Sequence, residues 1–232
     1  MGKVSTSAKV FFALLFTALV FASMKLNFAK LVGAENQFFT VFQFFGPIAG
    51  GILGSLFGAI IVLAATTANF IVSLVNGSSS FELVTLLRLL PMAFAAYYFG
   101  TKKRKLSIIV PLIAIALFVL HPVGRQAWYF SLFWTIPIIA AFFRNSLFMR
   151  SLGSTFTAHS VGGAIWAWTV PMTPELWIGL IPVVIIERLL FASGISLSFV
   201  AANTLLQKVE SKVPFISIDK RYILSRSILK HF

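Results

Sequence analysis

The chain is expected to fold as an all-α polytopic bundle of transmembrane helices with seven or eight crossings. Three observations predict this. Hydrophobic residues make up 59% of the chain and charged residues 11%, where a soluble domain carries about 25% charged residues. The acidic residues are only Glu35, Glu82, Glu175, Glu187, Glu210 and Asp219, and long apolar runs separate them. Finally, runs such as IIVPLIAIALFVL do not alternate as a barrel strand does. A helix satisfies its own backbone polar groups in lipid and is the default there.

The apolar segments fall at about 8–28, 37–75, 82–100, 106–121, 127–143, 147–171 and 176–206. The first follows Lys3 and Lys9 and reads FFALLFTALVFA, a pattern shared with signal peptides. Its length is that of a full span, so a retained first helix is expected. Segment 37–75 is too long for one span and short for two. Gly46-Pro47 lies inside it, where the missing N–H and the steric clash of proline favour a break. The reading is a short helix over about 36–45, a break at Gly46-Pro47, then a longer helix. A turn at the break makes eight crossings, and a kink makes seven. The loop NGSSS at 76–80 is a turn. Residues 1–207 form the transmembrane domain, and 208–232 a basic cytoplasmic tail.

Net charge is +13. Most basic residues sit between apolar runs, so membrane topology and anionic lipid explain them better than nucleic acid, which is not expected as a partner. With Lys102–Lys105 placed in the cytoplasm, both crossing counts leave fourteen basic residues inside and three outside. The C-terminus is therefore cytoplasmic on either count, and the N-terminus is not placed. The chain has no cysteine, which excludes disulfides and thiolate chemistry.

Glycine recurs at Gly46, Gly50, Gly54 and Gly58. On one helix, residues four apart share a face, and small residues in lipid admit a neighbouring backbone. This ridge serves either internal packing or a partner helix. Arg88, Glu187 and Arg188 lie within apolar runs, so they should face the interior, water or an interface. Glu187 and Arg188 point about 100° apart on a helix and are not a natural pair; Glu187 with Arg88 across helices is the more natural one. In SLGSTFTAHSVGGAIWAWTVP, Thr155, His159 and Trp166 share a face beside Gly162 and Gly163. A hydroxyl, an imidazole and an indole there suit a polar aromatic ligand. The bland alternative is a histidine satisfied by Thr155 or a carbonyl, with Trp166 and Trp168 as interfacial anchors. Asn36, in the loop GAENQ, stands just before the short helix.

Catalytic patterns are weak. No HExxH, GxSxG or Walker A sequence is present. The three histidines are scattered, so no metal site, cofactor or enzymatic activity is expected. Any energy for transport must come from a partner or an ion gradient.

The order NFAKLVGAENQFFTVFQFFGPIAGGILGSLFGAIIVL, then FELVTLLRLLPMAFAAYYFGTKKRK, then IPVVIIERLLFASGISLSFVAANTLL resembles the substrate-binding S components of energy-coupling factor (ECF) vitamin transporters. The resemblance covers about two-thirds of the chain. Ala18 and Ala22 match the AxxxA spacing with which the family's first helix packs on the coupling subunit. The family usually has six helices; this chain has room for about two more, near 106–143, as in a differently specialised relative. The resemblance implies a small solute bound near the external face by the later helices, a transmembrane coupling subunit, and cytoplasmic ATPases. It assigns docking to Ala18, Ala22 and the Gly46–Gly58 ridge, and ligand contact to Thr155, His159, Trp166, Glu187, Arg188, Asn36 and Arg88. Two other readings stand beside it: a membrane scaffold without a ligand, and a self-contained secondary transporter, for which an inverted repeat is missing.

Overall fold

In the computed structural model, which describes residues 6–30, 38–208 and 216–224, the apolar runs are helical almost throughout. Helix α1 (Thr6–Met24) leads into a two-stranded antiparallel hairpin, β1 (Asn27–Lys30) with β2 (Phe38–Thr40). This small sheet departs from the all-α expectation, and the helix expected over about 36–45 begins only at Phe42. There α2 (Phe42–Phe45) and α3 (Ile48–Leu53) follow almost without interruption. Helix α4 (Ser55–Val75), α5 (Leu83–Leu87) and α6 (Leu90–Gly100) come next. Helix α7 (Arg104–Leu120), α8 (Pro122–Gln126), a 3-10 stretch (Trp128–Thr135) and α9 (Ile136–Ala140) complete the middle of the chain. Helix α10 (Leu147–Thr169), α11 (Pro174–Gly179) and α12 (Ile181–Leu206) follow.

The break expected at Gly46-Pro47 falls elsewhere. Both residues keep right-handed helical dihedrals. Gly46 N still donates to Phe42 O at 2.8 Å, and the next bonds tighten to Ala49 N–Gly46 O and Gly50 N–Pro47 O. The proline thus removes a donor without stopping the helix. The chain stops at Gly54 instead, whose φ of 91° and ψ of 152° suit glycine alone. The four glycines therefore do not form one helical face. Gly58 lies back against α3, where an added Cβ would stand 2.5 Å from the Ala49 carbonyl. A Cβ on Gly50 would meet Ala96 O at 1.7 Å, and one on Gly100 would meet Gly50 O at 2.0 Å. Their neighbours are backbone of this same chain.

Helices α6 and α10 form the centre. Small residues let them approach: Ser154 Oγ donates to Ala95 O at 2.7 Å, and Gly153 faces the Tyr98 hydroxyl. Tyr98 in turn donates to Pro137 O at 2.7 Å, which ties α9 to the same pair. One core cluster gathers Phe118, Phe130, Trp134 and Trp177, and another gathers Val20, Val62, Ala95 and Ala96. The outer faces are apolar as well. Leu56, Ile60 and Ile71 of α4, Ile109, Ile113 and Leu120 of α7, and Ile186, Leu190 and Leu197 of α12 are all exposed. Helices apolar on both faces belong in lipid. Among the described residues three helical stretches are long and apolar enough to cross a membrane: Ser55–Val75, Leu83–Gly100 and Ile181–Leu206. At 21 residues, the first is about 31 Å long against a hydrocarbon core of about 30 Å. The protein is thus membrane-associated.

The described part of the tail is a strap on the bundle. Ser217 N donates to Ile52 O, Asp219 N to Asn203 Oδ1 and Leu224 N to Thr204 Oγ1. Two clusters of connections result. Residues 100–104, 141–150 and 217–221 gather at one end, while Met24, Phe39, the 76–80 loop, Met172 and Trp177 gather around a cavity at the other.

Candidate functional site

Between α4, α6, α10 and α12 lies a cavity of about 530 Å³, bounded by Ser78 and Ser79 of the 76–80 loop and by Phe39 of the hairpin. Its walls are mainly apolar and aromatic, with Phe42, Phe70, Phe130 and Trp177 among them. Polar groups enter from three helices and from one joint between helices, among other places. Thr66, Asn69 and Ser73 line it from α4, Arg88 from the joint between α5 and α6, His159 and Trp166 from α10, and Arg188 from α12.

His159 sits among Phe130, Phe156 and Trp134 at ring distances of 5.6, 5.9 and 6.1 Å. Trp134 Nε1 donates to its Nδ1 at 3.1 Å. Indole nitrogen is a donor only, so Nδ1 is unprotonated and a neutral ring carries its proton on Nε2. Thr155, one of the two partners that the bland alternative offered to His159, instead accepts from Arg188 Nη1 at 3.3 Å through its hydroxyl. Thr155 does not line the cavity; it positions Arg188.

Arg188 is buried, with 4% of its side chain exposed. Its guanidinium lies 5.1 Å from the Phe39 ring and 4.8 Å from the Phe191 ring. Its Nη2 reaches Glu187 Oε2 at 3.5 Å. The two residues diverge along the helix, yet the long arginine stem folds back to its neighbour. The expected Glu187–Arg88 pair does not form, and Glu187 supports Arg188 without lining the cavity. Arg88 instead lies over the Trp166 ring, 4.6 Å from its centroid, a cation–π contact. Trp166 therefore works with Arg88 inside the cavity. Trp168 is exposed, and its Nε1 donates to Leu117 O at 2.9 Å.

Three buried polar atoms on this cavity's side chains find no hydrogen-bond partner: Arg88 Nε, Arg188 Nε and Asn69 Oδ1. Each such bond costs about 1–3 kcal/mol when left unmade, and all three atoms are enclosed by their neighbours while other parts of the same side chains line the cavity. No carboxylate is among the described lining residues, and Glu187 answers Arg188 from outside the lining, so Arg88 is the cavity's cation without an ion-pair partner among the described residues.

The structure brings His159, Trp166, Arg188 and Arg88 of the sequence-read set to one cavity, with Thr155 and Glu187 behind Arg188. Asn36 lies outside the described residues. Trp134 and Asn69 were not read from sequence. A signal for Asn69 existed: Thr66, Asn69 and Ser73 make a polar stripe along one face of an apolar helix. None existed for Trp134, whose partner is 25 residues away. Of the docking residues, Ala18 and Ala22 are exposed on α1, in line with exposed Leu14. Gly46, Gly50 and Gly58 are buried, and Gly54 is exposed. Among the described residues no group of three or more histidine or acidic side chains could hold a metal ion. Comparison of the chain with family models, curated proteins and solved structures finds no match.

Proposed function

We propose that this protein is a membrane-embedded, solute-binding subunit of an uptake system, of the S-component kind, driven by a separate coupling subunit and cytoplasmic ATPases. The observation that carries the reading is the cavity between α4, α6, α10 and α12, where Arg88, Arg188, Asn69 and His159 stand together beside aromatic walls. A permanent scaffold has no use for such a cavity. Its chemistry fits a solute with an anionic or acceptor group for Arg88 and Arg188, a polar edge beside Asn69, and a flat apolar body between Phe130, Trp166 and Trp177. His159 Nε2–H adds a fixed donor. Exposed Ala18 and Ala22 on α1 support a docking face for the coupling subunit.

The same reading makes eight crossings. Helix α1, the α2–α3 stretch, α4, α5–α6, α7, the 128–140 stretch, α10 and α12 run alternately between the two clusters of connections. Lys102–Lys105, Arg144, Arg150 and the strap then share the cytoplasmic side, as the positive-inside rule favours, and the even crossing count puts the N-terminus with them. The solute cavity opens at the opposite, external end.

The test is purification in mild detergent from the native host, with mass spectrometry of retained proteins and small molecules. A solute held by the wild-type chain and lost from Arg88→Gln and His159→Ala, both still folded, is the expected result. Equal retention in those variants would remove the cavity from the mechanism. A stable partner of another kind with no ATPase would favour the scaffold reading.

A further inference from the structure

A second cavity, of about 560 Å³, lies at the other end of the bundle and is mainly polar where the first is mainly apolar. Lys102, Arg104, Arg144, Arg150, Lys220 and Arg221 line it, and Asp219 is the one carboxylate among its described lining residues. Topology accounts for basic side chains on a cytoplasmic surface. It does not account for the placement of Arg150.

Arg150 is largely withdrawn from solvent, with 12% of its side chain exposed. Its guanidinium is held between two rings, 4.1 Å from Phe99 and 4.6 Å from Phe199. Asp219 does not satisfy it. The nearest carboxylate oxygen is 3.9 Å away, and Arg221 already forks onto that carboxylate at 2.9 and 2.7 Å. Nε and Nη2 of Arg150 find no hydrogen-bond partner. Arg144 is different, since its donors go to Tyr98 O and Ser107 Oγ. A guanidinium charge clamped between aromatic faces, loosely matched by its one carboxylate and with further cations around it, suits an oxyanion in the cavity.

We propose that this cavity binds a phosphoryl group, with Arg150 as the clamped cation at its wall and Lys102, Arg104 and Lys220 as the surrounding charge. A single carboxylate would leave most of these cations unanswered, whereas a phosphoryl group offers several oxygens and up to two charges. The site is independent of the solute cavity. Inorganic phosphate and the headgroup of an anionic phospholipid share this chemistry.

The test uses the full-length chain in detergent stripped of anionic lipid. Thermal unfolding is followed with inorganic phosphate against chloride at matched ionic strength, and with phosphatidylglycerol against phosphatidylcholine in mixed micelles. A saturable rise in the unfolding midpoint with phosphate or phosphatidylglycerol is expected, without one for chloride or phosphatidylcholine. The ligand concentration needed should rise at least tenfold in Arg150→Gln. The double change Lys102→Gln with Lys220→Gln, at exposed positions, should raise it too and guards against a fold defect in the first variant. Response to phosphatidylglycerol alone assigns the site to lipid, and response to phosphate alone to a soluble phosphate. No response in the wild type, or the same response in folded Arg150→Gln and in the double variant, overturns the proposal.

Discussion

His159 accepts a hydrogen bond at Nδ1 from an indole, and that contact decides which imidazole nitrogen carries the proton. Trp134→Phe keeps the packing of the ring and removes the donor. The tautomer lock should then be lost, visible as mixed Nδ1–H and Nε2–H signals in nitrogen NMR of labelled histidine. Solute affinity should fall by about tenfold, the cost of one unmade hydrogen bond of about 1–1.5 kcal/mol. An unchanged tautomer signal would show that the indole does not set it. Thr155 and Arg188 make a comparable pair. Arg188→Lys should weaken binding more than Thr155→Val. Lysine offers no planar fork, whereas the valine change removes only a support.

Helix α3 and its neighbours turn on glycines, each for its own reason. Gly50→Ala drives a Cβ into the Ala96 carbonyl, and backbone on both sides cannot give way. A loss of about 1–3 kcal/mol is expected from overpacking, read as a lower midpoint of detergent unfolding. Gly162→Ala is the contrast: its nearest neighbour would be Pro91 Cγ at an ordinary 3.6 Å, so the fold should hold while the cavity narrows. The glycine spacing was legible in the sequence, but its meaning was not. The break at Gly54 depends on a single dihedral, and the partner of Gly50 lies in a helix far along the chain. The strap offers a pH test outside the membrane. Arg221, forked onto Asp219, holds that carboxyl below its usual range despite partial burial. The folded value is the lower one, so this contribution is present above the unfolded value of about 3.9 and is lost as pH falls through the folded value. Exchange protection of the Asp219 and Leu224 amides should drop on acidification, and in Asp219→Asn it should be weak throughout.

For the whole molecule, the proposed eight crossings put both termini on the basic side. Reporters fused at either end should both score cytoplasmic, and an external N-terminal reporter would return the count to seven. The two cavities then face opposite compartments, one aromatic with two guanidiniums, the other strongly basic. Changes in one should leave ligand response at the other intact, because separate residues line them.

The amino-acid order alone settled the helical, lipid-facing character, the placement of the basic connections, and the presence of Arg88, His159 and Arg188 inside apolar runs. Those are local properties of composition and of what lipid tolerates. The tertiary structure alone decided that His159 answers to Trp134, that Arg188 folds back on Glu187 while Arg88 lies on Trp166, and that the chain turns at Gly54. Each of these is a distance of a few ångströms between atoms or a single backbone dihedral, and periodicity along a chain carries neither.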